Sequence, residues 1–133
     1  MAGGGAPEEY LASSLKDWAD RFEGREQLAI KKYAEALEII PLTIAENAGM
    51  DPINTMVTLR AKQSQGKKWT GIDARNTRVA DMYSLDIIEP LAVKEQIIKS
   101  ATEAACMILR IDDVIASSGA KGGGGRAPPP PMG

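Results

Sequence analysis

Histidine is absent from the 133 residues, and cysteine occurs once, as Cys106. Without histidine the chain lacks the usual general base at neutral pH and the commonest zinc ligand. A single cysteine excludes an internal disulfide and favours an intracellular origin. The sequence therefore predicts neither histidine-based catalysis nor a secreted, disulfide-stabilised fold, and it offers no metal ligand set.

Aromatic residues are also scarce, at 5% of the chain. No apolar run approaches the ~20 residues that a membrane-spanning helix needs. The net charge of −2 gives no basic excess for binding nucleic acid or membrane. With 44% hydrophobic and 26% charged residues, the composition is typical of a cytoplasmic globular protein whose core is aliphatic.

A glycine run, Gly3 to Gly5, stands directly before the first helical pattern. Glycines at this place allow backbone N–H groups and a helix N-terminus to approach an anion closely. Such a loop normally follows a strand or helix, but only two residues precede it here. Two interpretations stay open on these residues: an inert disordered leader, or a piece of a larger nucleotide-binding domain.

Apolar spacing predicts a mainly α fold. The first helix follows the glycines, with Pro7 in its first turn and with Glu8 and Glu9 placed to complement the helix dipole. Its apolar residues recur at intervals of 4, 3 and 4, which makes one stripe along the helix: Leu11, Leu15, Trp18 and Phe22.

Breakers and caps delimit the other helices. A second helix is predicted over about 25–40, and Pro41 kinks it or restarts it as a short third helix that ends before Gly49. Asp51 supplies an N-cap acceptor with a proline after it, which predicts another helix start. Pro90 starts the last helix, which carries the most regular apolar stripe: Val93, Ile97, Ala101, Ala104 and Ile108.

Two short strands are expected, over 67–72 and 111–116. Residues 73–77 form a predicted loop, followed by a helical turn over 79–85. Isolated strands are marginally stable, so we expect their partners to come from other polypeptide. The Gly- and Pro-rich tail, 117–133, has nothing to bury and is predicted to be disordered.

Several motifs in fixed order together resemble a group II chaperonin subunit of the archaeal thermosome type. The resemblance covers roughly residues 2–116, and its specificity comes from the combination rather than from any single motif. The segments that carry it are Gly24–Ile30, Ala34–Pro41, Ala45–Ile53, Gly71–Asp73, Val79–Met82, Ile88–Lys94 and Leu109–Ile115.

The resemblance implies a fold and a function. It implies that residues 1–116 are the C-terminal half of an ATP-binding equatorial domain, multihelical with one or two short strands. In such subunits the N-terminal half of the domain supplies the phosphate loop and a metal-binding aspartate, and a water-activating aspartate lies just upstream of the segment that Gly3 matches. ATP or ADP with Mg²⁺ would bind the complete domain, and we expect this chain alone to bind nucleotide weakly and to have no ATPase activity.

The resemblance also implies five site residues. Gly4 and Gly5 would let the backbone lie against the nucleotide, and Asp73 and Ala74 would lie near the base. Glu89 would accept hydrogen bonds from the ribose hydroxyls, a role that suits an acceptor-only carboxylate. Judged without the family, Asp73 is an ordinary turn residue, and Glu89 is an ordinary carboxylate at a helix start.

Two loop positions depart from the family, because Thr77 and Asp86 stand where glycine is usual. Left-handed backbone at these positions would suit aspartate moderately and threonine poorly.

The predicted function is therefore a piece of an ATP-dependent chaperonin subunit that contributes part of the nucleotide pocket and ring contacts. Its expected partners are other chaperonin subunits or the missing N-terminal half, and non-native proteins through the complete ring. An alternative is a stand-alone helical interaction module without nucleotide chemistry.

Overall fold

The structure, a computed structural model, describes the backbone of residues 1–119 and the side chains of residues 1–111. It is mainly helical, as predicted. One compact unit, Met1–Leu91, holds three helices and a hairpin, and the last helix forms a second unit. The elements are α1 (Ala6–Ala19), α2 (Gly24–Asn47), α3 (Pro52–Ser64), β1 (Thr70–Asp73), β2 (Arg78–Asp81) and α4 (Leu91–Gly119).

Helix α2 is continuous, with Pro41 inside it. The alternative that Pro41 restarts the chain as a separate third helix is therefore wrong. Proline removes one helical hydrogen bond, but Pro41 is buried against the glycine loop: a Cβ built on Gly5 would lie 2.7 Å from the Pro41 Cβ. The packing of the Pro41 side chain against the glycine loop compensates for the lost hydrogen bond and keeps the helix intact.

Helices α1 and α2 pack through small side chains. Ala12 and Ala19 of α1 and Ala34 of α2 are all fully buried. By contrast, Leu11 and Trp18, from the stripe expected to face the core, are 44% and 45% exposed. Alanines allow two helix backbones to approach closely, so the alanine face of α1, and not its larger apolar stripe, is the packed one.

The two strands form one antiparallel hairpin. Thr70 lies opposite Asp81, and Asp73 lies opposite Arg78. The helical turn predicted over 79–85 is therefore wrong at its start, and β1 begins three residues later than the predicted 67–72. Lys62 Nζ donates to the Val79 carbonyl at 2.9 Å, which anchors β2 to α3. Because β1 pairs within the chain, it does not need the outside partner that we expected.

Two apolar clusters hold the first unit together. The first joins α2, α3 and β1 through Ala45, Met56, Leu59 and Ile72. The second lies beneath the N-terminal segment and consists of Ala2, Ala6 and Met82. Helix α3 begins as predicted, because the Asp51 carboxylate accepts from the Asn54 N–H at 2.9 Å.

Helix α4 continues through residues 111–116, so the terminal strand predicted there is wrong. A helix satisfies its backbone groups within its own segment, whereas a strand would need a neighbour for them. In the predicted tail, residues 117–119 belong to α4, and residues 120–133 lie outside the described part. Exposed apolar side chains occur along α4 as far as residue 111, including Val93, Ile97, Met107 and Ile108.

Thr77 has a φ of 49° and Asp86 a φ of 54°, which confirms that both turns require left-handed backbone. We expect Thr77→Gly to stabilise the protein by about 1 kcal/mol, because a β-branched residue is strained at positive φ. Asp86→Gly should give a smaller gain, since aspartate tolerates this conformation. Urea denaturation of both variants measures the effect, and a loss of stability in Thr77→Gly would contradict it.

Candidate functional site

The glycine loop, Gly3–Gly5, is held between two other segments of the chain. Gly3 N–H donates to the Ile87 carbonyl at 2.9 Å, next to an antiparallel bridge between Ala2 and Ile88. On the other side, Ile72 N–H of β1 donates to the Gly4 carbonyl at 2.8 Å. The loop is thus an ordered part of the fold, and its interpretation as a disordered leader is wrong.

Glycine is required in this loop by close packing. Gly4 and Gly5 have φ values of 62° and 72°. A Cβ on Gly4 would lie 2.5 Å from Met82 Sδ and 2.7 Å from the Ile72 carbonyl oxygen. The close approaches that explain these glycines are therefore contacts within the protein, and they fix the loop backbone rigidly against β1.

The loop leads directly into the N-terminus of α1, where backbone N–H groups concentrate positive potential. In the described part of the chain, the Gly4 and Gly5 N–H groups donate to no backbone carbonyl. Gly5 is the N-cap residue, and no side chain caps the helix. This arrangement is chemically suited to a negatively charged group lying against the loop.

The Asp73 carboxylate is buried and is used inside the hairpin turn. It accepts from Asn76 Nδ2 at 2.7 Å, from the Asn76 N–H at 3.2 Å and from Arg78 Nε at 3.2 Å. These hydrogen bonds, the one from the Asn76 amide above all, hold the pKa of Asp73 below its ordinary value. Ala74, the next residue, is exposed at the start of the turn.

Glu89 lies beside the glycine loop on the side opposite β1. Its Oε1 is 3.0 Å from the position that a Cβ on Gly3 would occupy, and its N–H donates to the Met1 carbonyl at 2.8 Å. The structure thus brings Glu89 against the loop that contains Gly4 and Gly5. Asp73 and Ala74 follow Ile72, the residue bonded to that loop, but the Asp73 carboxylate points into its own turn.

Sequence reasoning missed a buried ionic cluster behind the loop. Glu9 is fully buried, and its Oε1 accepts from Arg60 Nε of α3 at 2.8 Å. Arg60 Nη2 also contacts Glu38 Oε1 of α2 at 2.9 Å, and Lys16 Nζ reaches the same oxygen at 2.5 Å. Burial raises the pKa of Glu9 in spite of the Arg60 partner.

Gln63 of α3 is a second buried polar residue that was missed. Its Nε2 donates at 2.9 Å both to the Ala6 carbonyl of α1 and to the Thr70 carbonyl of β1. One sequence signal was available, because Gln63 follows Leu59 by four residues and therefore shares the inward face of α3. The partners of Gln63 and Arg60 are 51 or more residues distant, or lie in another element, so no local pattern identifies them.

Two further features of the described residues bear on the site. Residues 1–111, whose side chains the structure describes, contain no group of three or more histidine, cysteine, aspartate or glutamate side chains arranged to hold a metal ion. None of their helices has the length and apolar character needed to cross a membrane.

Comparisons with known proteins place this fold. The model of the TCP-1/cpn60 chaperonin family matches residues 1–118. The chain is 60% identical over 117 residues to the thermosome subunit alpha of Halobacterium salinarum, covering 88% of this chain and 21% of the relative. It is 58% identical over 117 residues to a thermosome subunit of Methanopyrus kandleri, covering 88% of this chain and 22% of that subunit.

A solved structure shares the same arrangement. The open-state monomer of a group II chaperonin from Methanococcoides burtonii superposes with a TM-score of 0.81 at 49% identity, covering 83% of this chain and 27% of that chain. This match confirms the predicted fold, half of a chaperonin equatorial domain. The chain spans about a fifth of the length of the thermosome subunits that it matches. By family model, sequence identity and structure alike, the chain belongs to the TCP-1/cpn60 chaperonin family.

Proposed function

We propose that this chain forms one wall of the nucleotide site of an ATP-dependent chaperonin subunit that assists protein folding. One observation carries the proposal: the N-terminal segment 1–5 is hydrogen-bonded to β1 through Gly4 and to residues 87–89 through Gly3 and Met1. The glycine loop, β1 and residues 87–89 thereby meet at one place, where the 14-residue helix α1 begins.

Each site residue has a role that fits its surroundings. The rigid backbone of Gly4 and Gly5 lies against the nucleotide, with N–H groups available for negative charge. Ala74 lies near the base, and Asp73 acts there by shaping the turn, because its carboxylate is occupied by Asn76 and Arg78. Glu89 accepts hydrogen bonds from the ribose hydroxyls.

The remaining chemistry belongs to the rest of the subunit. ATP or ADP would bring Mg²⁺, for which the described residues offer no ligand cluster. Phosphoryl transfer to water requires a metal, positioning groups and a water-activating residue together. The chain alone should therefore not hydrolyse ATP. In the complete assembly, its partners are other subunits of a cytoplasmic ring and the non-native proteins that the ring encloses.

A thermal-shift experiment with Mg-ATP tests this function. We expect no shift for the chain alone and a clear shift when the complementary N-terminal part of a thermosome subunit is added. Nucleotide at 100 times Kd would add about 2.7 kcal/mol to the stability of the complex. Glu89→Gln should weaken binding by about tenfold through loss of a charged acceptor.

Glu95→Gln is the matched control, because Glu95 is an exposed carboxylate on α4 outside the site. Equal effects of the two variants would contradict the role of Glu89. If the complex forms and shows no nucleotide-dependent shift, the chain is a helical interaction module without nucleotide chemistry, and the proposal fails.

A further inference from the structure

Helix α3 holds the first turn of α1 through two adjacent side chains. Arg60 and Gln63 are three residues apart, so they project from the same face of α3. Their partners on α1, Glu9 and the Ala6 carbonyl, are also three residues apart. Two contacts in register thus fix the start of α1, and with it the glycine loop, relative to α3.

The Gln63 amide makes the more informative of these contacts. Gln63 is 6% exposed, and its Nε2 joins the residue after the glycine loop to the first residue of β1. Both protons of one NH₂ group are thereby shared between the two segments that carry Gly4, Gly5, Asp73 and Ala74. The Oε1 atom has no hydrogen-bond partner among the described residues.

A buried polar atom without a partner costs free energy, and the Oε1 atom of Gln63 carries that cost. A methionine would fill a similar volume without the unpartnered oxygen, but it would leave the Ala6 and Thr70 carbonyls without the hydrogen bonds that Gln63 donates. What glutamine adds is a pair of donors at fixed geometry. These donors set the distance between the Ala6 and Thr70 carbonyls.

We propose that Gln63 is a positioning residue for nucleotide binding: it sets the spacing between the glycine loop and strand β1. The inference rests on the proposed function, because the spacing of the loop affects nucleotide binding only if the loop is part of the nucleotide site. Gln63 does not touch the nucleotide, and its effect passes through the Ala6 and Thr70 carbonyls to the Ile72–Gly4 hydrogen bond.

Hydrogen exchange measured by NMR on the full chain tests the positioning role. In Gln63→Met, the Ile72 and Gly3 amides should exchange about tenfold faster, because two hydrogen bonds that hold the loop are lost. Amides in the middle of α2, such as that of Leu37, should change by less than about twofold. Gln65→Met is the control: Gln65 is an exposed neighbour and should affect neither set.

A purely structural role would accelerate exchange at all amides together, and this outcome would overturn the proposal. The wild-type chain provides a measurement that needs no variant. The two side-chain NH₂ protons of Gln63 are hydrogen-bonded to buried carbonyls, so they should exchange far more slowly than the side-chain NH₂ protons of the exposed Gln65. Equal rates for the two side chains would also overturn it.

Nucleotide affinity separates this inference from the proposed function. In the complex with the complementary part of a thermosome subunit, Gln63→Met should weaken Mg-ATP binding by about tenfold, and Gln65→Met should not. If the wild-type complex does not bind nucleotide, the proposed function fails, while the exchange data still report whether Gln63 sets the loop. If nucleotide binds equally well to both variants, the positioning role fails and the proposed function stands.

Discussion

Replacing Gly4 with alanine is expected to destabilise the protein by about 3 kcal/mol or more. Positive φ costs an alanine about 1–2 kcal/mol. The new Cβ would also lie 2.7 Å from the Ile72 carbonyl oxygen and 2.9 Å from the Ile72 nitrogen. Since these are backbone atoms, a change of side-chain rotamer cannot relieve the overlap, which adds about 1–3 kcal/mol. Urea denaturation of the two proteins measures the difference.

Gly49→Ala is the matched control for that experiment. Gly49 also has positive φ, at 75°, but a Cβ there meets nothing within 4 Å. It should therefore show the conformational cost alone, about 1 kcal/mol. The excess in Gly4→Ala measures the packing of the loop on β1, and equal losses in both variants would refute that packing.

Arg60→Met is expected to destabilise the protein by about 2–3 kcal/mol at pH 7, since removing one partner of a buried ion pair leaves the other charge uncompensated. This loss is smaller than for a fully buried ion pair because Arg60 is 44% exposed, and solvent screens part of its interaction with Glu9. Glu38 keeps Lys16 as a partner, so the loss falls mainly on Glu9. Denaturation across a range of pH measures the effect.

The pH dependence of this loss has a definite sign. Burial raises the folded-state pKa of Glu9 above its ordinary value of 4.5, so the folded protein binds this proton more tightly than the unfolded chain. The contribution of Glu9 to stability is therefore greatest below pH 4.5 and declines as pH rises through its folded pKa. Without Arg60 that pKa rises further, so the cost of Arg60→Met should grow with pH.

The double variant Glu9→Gln/Arg60→Met isolates the pair. A neutral amide has no ionised form to desolvate, so the second substitution should recover most of the stability lost at pH 7. An equal cost for Arg60→Met at pH 4 and pH 7, with no recovery in the double variant, would show that Arg60 acts through packing of its aliphatic stem alone.

Local chemistry determined the element boundaries that the sequence predicted well. Asp51 caps α3 because its carboxylate reaches an N–H group three residues on. The left-handed turns at Thr77 and Asp86 were expected from the family resemblance, in which glycine is usual at both positions. The family also followed from residue identity alone, since its motifs depend on order along the chain. These properties require no knowledge of which distant residues meet.

The errors have the opposite origin. Pro41 stays inside α2 because it packs on Gly5, and β2 forms because β1 and Lys62 supply its partners. Neither contact is visible in a local window. The apolar stripe of α1 also predicted the wrong buried face, because the face that packs is the one whose alanines allow close approach to α2.

The sequence by itself determined the mainly helical fold class, the cap of α3 and the family, and through the family resemblance it suggested the five candidate site residues. Only the tertiary structure decided which helix faces are buried, that the glycine loop lies between β1 and residues 87–89, and that Arg60 and Gln63 support it. The physical reason is the separation along the sequence of the residues that interact. Caps and turns depend on atoms a few bonds apart, whereas a buried carboxylate or amide is stable only where a distant segment supplies its partner.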